Sequence, residues 1–142
     1  MSAVAQQKFS VVRFPVHGDD RGSLIALETA QEIPFLVRRV YYIYGTQPGV
    51  SRGFHAHRRL NQLCVALSGT VRFVLDDGAC QQSVTLDSPE MGLHIGPGLW
   101  REMHEFSPDC VLMVLADRHY EADDYIRDHA AFMAEFGKEA SR

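Results

Sequence analysis

The stretch RGFHAHRRLNQ, residues 52–62, sets His55 and His57 on either side of one alanine, with Arg52, Arg58 and Arg59 crowded around them. Residues two apart on a strand point to the same face. Both imidazoles therefore project together, and Ala56 opposes them. Facing a barrel interior, they enter one cavity. There they can join further N, O or S donors around a metal, or act as an acid–base pair, because an unperturbed imidazole titrates near ~6.5. Facing solvent, they do neither.

The elements that carry the pair read as short strands. FSVVRF (9–14), SLIALE (23–28) and VRRVYYIY (37–44) are β-branched, aromatic or alternating, and VHGDDRG is a turn. NQLCVALSG (61–69) and TVRFVLDDG (70–78) meet at Ser68-Gly69, which reads as a hairpin. SVTLD (83–87) and MGLHIG (91–96) flank a turn at Ser88-Pro89, and CVLMVLA (110–116) has the continuous apolar character of a strand buried on both faces. Only ADDYIRDHAAFMAEFG reads as helix: Tyr125, His129, Phe132, Met133 and Phe136 recur as a packing stripe, Asp123 or Asp124 caps the start and Gly137 the end. The class is all-β: about ten strands with regular turns and one C-terminal helix predict a sandwich or jelly-roll barrel, a fold that often holds a ligand cavity at its mouth.

Composition narrows the partners. The 142 residues, 46% hydrophobic and 23% charged, suit one globular domain spanning 1–142. A net charge of −4 argues against a nucleic-acid surface while permitting a local basic pocket. No apolar run approaches the ~20 residues of a membrane helix. MSAVAQQKF lacks a leader pattern. Cys64, Cys80 and Cys110 form no C-x-x-C pair, and Cys64 and Cys110, inside apolar runs, read as buried reduced thiols. A cytoplasmic protein that needs neither membrane nor nucleic acid is the expectation.

Gly49 precedes His55 by six residues, Gln62 follows His57 by five, and Gly69 follows Gln62 by seven. This spacing resembles the first cupin motif, G-x5-H-x-H-x4-E-x6-G, with glutamine in place of glutamate. The second motif resembles PGLWREMH (97–104), with Glu102 where a histidine ligand is usual and His104 two residues on. A metal-binding cupin supplies three histidines and a carboxylate, so the eroded set turns the pair toward proton transfer without a metal.

A closer resemblance follows. DDRGSLIALE, IPFLVRRVYYIY, RGFHAH, LDDG, the run TLDSPEMGLHIGPGLWREMHEFSPDCVLMVLA and YIRDH together resemble the nucleotide-sugar 3,4-ketoisomerases that act on dTDP-4-keto-6-deoxy-D-glucose, over residues 9–130. The resemblance implies a cupin-like jelly-roll β-barrel, a homodimer, no metal or other cofactor, and catalytic histidines at His55 and His57. The 3-keto product would feed an aminotransferase making 3-amino-3,6-dideoxy sugars.

That chemistry moves a ketone from carbon 4 to carbon 3 through an enediolate. His55 is expected to be the main base, with His57 beside the sugar oxygens, relaying protons. Tyr42 and Arg52 are candidate donors to the enediolate, although alternation leaves open whether Tyr41 or Tyr42 faces inward. With no glycine-rich phosphate loop, Arg52, Arg58, Arg59, Arg72 and Arg101 are candidates for the diphosphate. Trp100 could wall the sugar. Arg101, where some members of the family carry histidine, is expected near the barrel mouth, and with Arg21 is the place to look for control of the face of carbon 4 that is protonated. The competing readings are a nucleotide-sugar epimerase, a metal-dependent cupin oxygenase using Glu102 or His104, and a non-catalytic sugar-nucleotide-binding cupin.

Overall fold

In the computed structural model, which describes residues 8–137, two five-stranded antiparallel sheets face each other. The reading of residues 1–7 as leaderless lies outside the described residues, as do both ends of the expected domain. The first sheet runs β1 (Phe9–Arg13), β9 (Met91–Ile95), β6 (Gln62–Ser68), β11 (Val111–Ala116), β4 (Arg39–Tyr44). The second runs β12 (Tyr125–Ile126), β5 (Arg52–His57), β10 (Trp100–His104), β7 (Val71–Asp76), β8 (Gln81–Leu86). A separate hairpin, β2 (His17–Asp19) with β3 (Gly22–Leu24), is exposed at every position. Helix α1 (His129–Phe136) closes the described chain, and among the described residues no helix is long and apolar enough to cross a membrane.

Alternation builds the core. Cys64 and Ala66 of β6, Phe73 and Leu75 of β7, Leu93 and Ile95 of β9, and Leu112 and Val114 of β11 fill the space between the sheets. The opposite face of the first sheet carries Leu63, Val65 and Leu115, covered by Ile25, Leu27, Phe35 and Val37. SLIALE therefore forms strand only to Leu24, because its later apolar residues lie across a sheet face instead of joining a ladder. Cys64 and Cys110 are buried and Cys80 exposed, all three as free thiols.

Two expectations need correction. Ser68-Gly69 is not a hairpin: β6 and β7 lie in different sheets, and the turn, with Gly69 at φ +69°, carries the chain from one to the other. The helix is shorter than predicted. Asp128, not Asp123 or Asp124, caps it, accepting from the Ala131 N–H at 3.0 Å, while Tyr125 lies in β12. Phe132 and Phe136 pack with Trp100, Ala56 and Ile126, and Met133 stays exposed. Gly137 ends the helix as expected.

A bulge shapes the wall that bears the histidines. Arg101 stands opposite His55, but Glu102 stands opposite Gly53, so Phe54 is an extra residue in β5. Gly53 has φ +90° and Phe54 φ +58°, and a Cβ on Gly53 would come within 3.0 Å of the Arg101 carbonyl oxygen. Left-handed backbone at a non-glycine residue costs about 1–3 kcal/mol and persists where surrounding packing enforces it. Gly53→Ala adds such strain plus a clash, and is expected to lower the melting temperature by about 3–9 °C. An unchanged melting temperature in a calorimetric scan contradicts this account of the bulge.

Candidate functional site

Both histidines lie on the inner face of β5, side by side. Their ring centroids are 4.8 Å apart and edge to face. His55 opens onto a cavity of about 640 Å³, and His57, 1% exposed, lies beneath. The cavity opens between β4 and the β12–β5 pair, where the two sheets present their edges and the sandwich is not closed. Tyr125 packs against both rings, at 5.0 Å from His55 and 4.3 Å from His57.

Burial is the main reason both imidazoles are neutral. It lowers His55 to about 3 and His57 to about 2, and the buried charge of Arg101 adds to the shift in each. Asp124, 3.0 Å from His57 Nδ1, pulls the other way. Its charge is already engaged by the Arg59 N–H at 2.7 Å and the Arg59 guanidinium at 3.7 Å, so the neutral form of His57 is the one the surroundings favour.

The floor of the site is a hydrogen-bonded chain. Arg101, 2% exposed, donates to Gln62 Oε1, and twice to the Leu99 carbonyl, at 3.4 and 3.2 Å. Gln62 Nε2 in turn donates to Tyr41 Oη at 3.0 Å. The arginine can only donate, which fixes the amide orientation. Because Gln62 donates to Tyr41, the phenol proton is free to point into the cavity, and burial pushes the Tyr41 pKa up to about 12, so it stays a donor.

Among the described residues, the cavity walls carry Arg39, Arg52 and Arg127 and no carboxylate. Arg127 lies 4.2 Å over the Tyr125 ring and Arg39 5.4 Å over Tyr41. In a chain of net charge −4 this is a local cationic pocket suited to an anion.

Several predicted residues sit elsewhere. Tyr42 is 64% exposed and packs on Tyr44, so Tyr41 is the inward tyrosine. Arg59 and Arg58 do not reach the cavity: Arg59 engages Asp123 and Asp124, and Arg58 engages Glu135 of α1. Arg72 pairs with Glu105. Trp100 is buried under α1, 5.9 Å from Phe132, on the opposite face of β10 from Arg101. Arg101 lies at the floor, not the mouth. Arg21 caps the exposed hairpin in an ion pair with Asp19, away from the cavity of its own chain. Glu102 and His104 pair at 2.9 Å on the Trp100 side of β10 and do not converge with the two histidines. Among the described residues no group of three His, Cys, Asp or Glu could hold a metal.

Arg39, Asp124, Tyr125 and Arg127 also belong to the site, beyond the residues that the motifs single out. The apolar spacing puts Tyr125 in a helix; Asp-Tyr-Ile-Arg read as extended chain would put Tyr125 and Arg127 on one face, whereas no signal in the sequence singles out Arg39 or Asp124.

Residues 7–137 match the family described as FdtA: WxcM-like, C-terminal. The chain belongs to this family. It is 52% identical over 122 residues, 86% of this chain and 88% of the relative, to the TDP-4-oxo-6-deoxy-alpha-D-glucose-3,4-oxoisomerase of Aneurinibacillus thermoaerophilus. It superposes with a TM-score of 0.90 on a 3,4-ketoisomerase from Helicobacter canadensis, at 43% identity over 92% of this chain and 98% of that one. A histidine-to-asparagine variant of the Thermoanaerobacterium thermosaccharolyticum 3,4-ketoisomerase, in complex with TDP-4-keto-6-deoxyglucose, matches with a TM-score of 0.90 at 35% identity, over 92% of this chain and 95% of that one. The resemblance of the motifs to nucleotide-sugar ketoisomerases and the all-β cupin-like fold are borne out, and the chain is an isomerase of the 3,4-ketoisomerase type.

The neutral histidines carry a pH signature. Unfolded, each titrates near ~6.5; folded, at about 3 and about 2. Between about pH 3 and 6.5 the unfolded chain binds more protons, so their contribution is complete above ~6.5 and is lost as pH falls, at up to about 1.4 kcal/mol per pH unit per histidine. The difference in urea stability between the wild type and His55→Asn is expected to shrink from pH 7 to pH 4.5. A difference independent of pH contradicts a neutral His55.

Proposed function

We propose that this chain converts TDP-4-keto-6-deoxyglucose to a TDP-3-keto-6-deoxyhexose, as a metal-independent single-domain enzyme. The observation that carries the reading is a pair of neutral imidazoles under a cavity with three arginines and no carboxylate on its walls. A base must be unprotonated to act, and a nucleoside diphosphate needs cations.

His55 takes the proton from carbon 3, and negative charge moves onto the oxygen at carbon 4. Tyr41 donates a hydrogen bond to that oxygen, and Arg101 beneath stabilises the enediolate through space. His57 removes the proton from the oxygen at carbon 3 and passes it to the oxygen at carbon 4. His55 then returns its proton to carbon 4, leaving the ketone at carbon 3. One C–H and one O–H are lost and one of each is gained, so no redox partner enters. Arg39, Arg52 and Arg127 hold the diphosphate. The product offers a ketone at carbon 3 to an aminotransferase.

The working unit is a homodimer in the cytoplasm. Val40, Tyr42 and Tyr44 on β4 and Leu67 on β6 are exposed on the outer face of the first sheet, beside a 290 Å³ apolar cavity lined by Val65 and Met113. These exposed apolar side chains suit a second copy of the chain, and the free cysteines suit a reducing compartment. A dimer across this face is expected to sediment at twice the chain mass, and Tyr42→Lys with Tyr44→Lys to halve it. A wild-type monomer at micromolar concentration contradicts the assignment.

For the chemistry, His55→Asn is expected to lower kcat by about 10²–10⁴-fold while TDP binding survives. His57→Asn is expected to lower kcat within the same range. Unchanged turnover in either variant removes that histidine from its role.

A further inference from the structure

We propose that Asp124 sets which ring nitrogen of His57 carries the proton, leaving Nε2 as its proton-accepting nitrogen; this rests on the shuttle role given to His57 above. Asp124 is 2% exposed and uses its two oxygens separately. Oδ2 lies 3.0 Å from His57 Nδ1, and Oδ1 accepts the Arg59 backbone N–H at 2.7 Å. A carboxylate only accepts, so the hydrogen resides on Nδ1. Nε2 is then left with its lone pair, buried and without a hydrogen-bond partner among the described residues.

That is the state a shuttle must start from. Nε2 accepts the proton of the sugar hydroxyl, and the resulting imidazolium rests against Asp124 until the proton is passed to the neighbouring oxygen. Asp124 touches neither cavity nor substrate and acts through His57, so it is a positioning residue. The peptide N–H of Arg59 is held in place: Arg58 N–H donates to the Asp124 carbonyl at 3.0 Å, and the Arg58 and Arg59 side chains grip the same segment.

The fixed N–H makes an uncommon ordering of variants. In Asp124→Asn the amide oxygen must face Arg59 N–H, because the NH₂ group cannot accept. The NH₂ group then faces His57 Nδ1 and forces it to accept, which moves the imidazole proton to Nε2. His57 would present a hydrogen where it needs a lone pair. Asp124→Ala forces nothing on Nδ1 and leaves the productive tautomer accessible. Asparagine, the closer mimic in size and bonding, is therefore the more damaging change. A role confined to holding the segment together predicts the reverse order, because asparagine keeps the Arg59 bond and fills the volume.

Two readouts decide. Long-range ¹H–¹⁵N spectra of the wild-type protein with labelled histidine are expected to show His57 protonated at Nδ1. A proton on Nε2 overturns the inference and leaves the shuttle role to the His57→Asn kinetics. Asp124→Asn is expected to lower kcat by about 10²–10⁴-fold with KM little changed, as when a tautomer is reversed in a hydrolase triad, and Asp124→Ala to retain at least tenfold more turnover. Asparagine equal to or better than alanine overturns the proposal. The wild-type spectra decide alone should either variant fail to fold.

Discussion

The site depends on one buried cation. Arg101 is taken out of water with no carboxylate against it; its charge is met by the Gln62 amide oxygen and the Leu99 carbonyl. A buried charge is costly unless its hydrogen bonds are satisfied. Its positive potential adds to the burial that holds His55 and His57 neutral, and its hydrogen bond fixes the Gln62 amide so that the Tyr41 hydroxyl proton is free to donate. A glutamate at position 62 would neutralise the guanidinium in a buried ion pair and weaken its pull on the histidines. The glutamine that departs from the metal-binding motif is thus the residue that lets a guanidinium act as the buried cation of this cupin-like interior.

The second dependence is on residues 121–127. This segment crosses from the 3₁₀ turn at Ala122–Asp124 into β12 and pairs with the histidine strand, Tyr125 opposite His57. It supplies Asp124 behind His57, Tyr125 against both rings and Arg127 at the cavity wall. Arg58 and Arg59 hold it there, the first also tying down α1 through Glu135. Arg58 and Arg59, which follow the histidines in sequence, therefore build the site from behind. The arginines on the cavity walls are Arg39, Arg52 and Arg127, and of these only Arg52 lies in the histidine motif.

What could be read from the sequence follows from the range of the forces involved. The histidine pair is legible because a strand places alternate residues on one face regardless of context, and the barrel follows from many short β-branched runs with turns between them. Tyr41 against Tyr42 is not legible, because alternation gives two equivalent phases and only the packing of β4 against β11 chooses one. Trp100 and Arg101 go to opposite faces for the same reason: the core under α1 takes the indole, and the barrel interior takes the guanidinium. Tyr125 has helical spacing to His129 and Phe132, whereas the backbone there pairs with β5. The false hairpin at Ser68-Gly69 shows that a turn residue fixes a reversal of direction without fixing the sheet that the chain enters next.

The central claim is that two neutral histidines move protons within one sugar, from carbon 3 to carbon 4, with no outside reductant. Incubation of the purified chain with TDP-4-keto-6-deoxyglucose in deuterated water, followed by NMR of the product, tests it directly. The account predicts a ketone at carbon 3, with deuterium at carbon 4 to the extent that the proton held on His55 exchanges with solvent before it is returned. Deuterium at carbon 3 or carbon 5 with the ketone still at carbon 4 would mark an epimerase and contradict it.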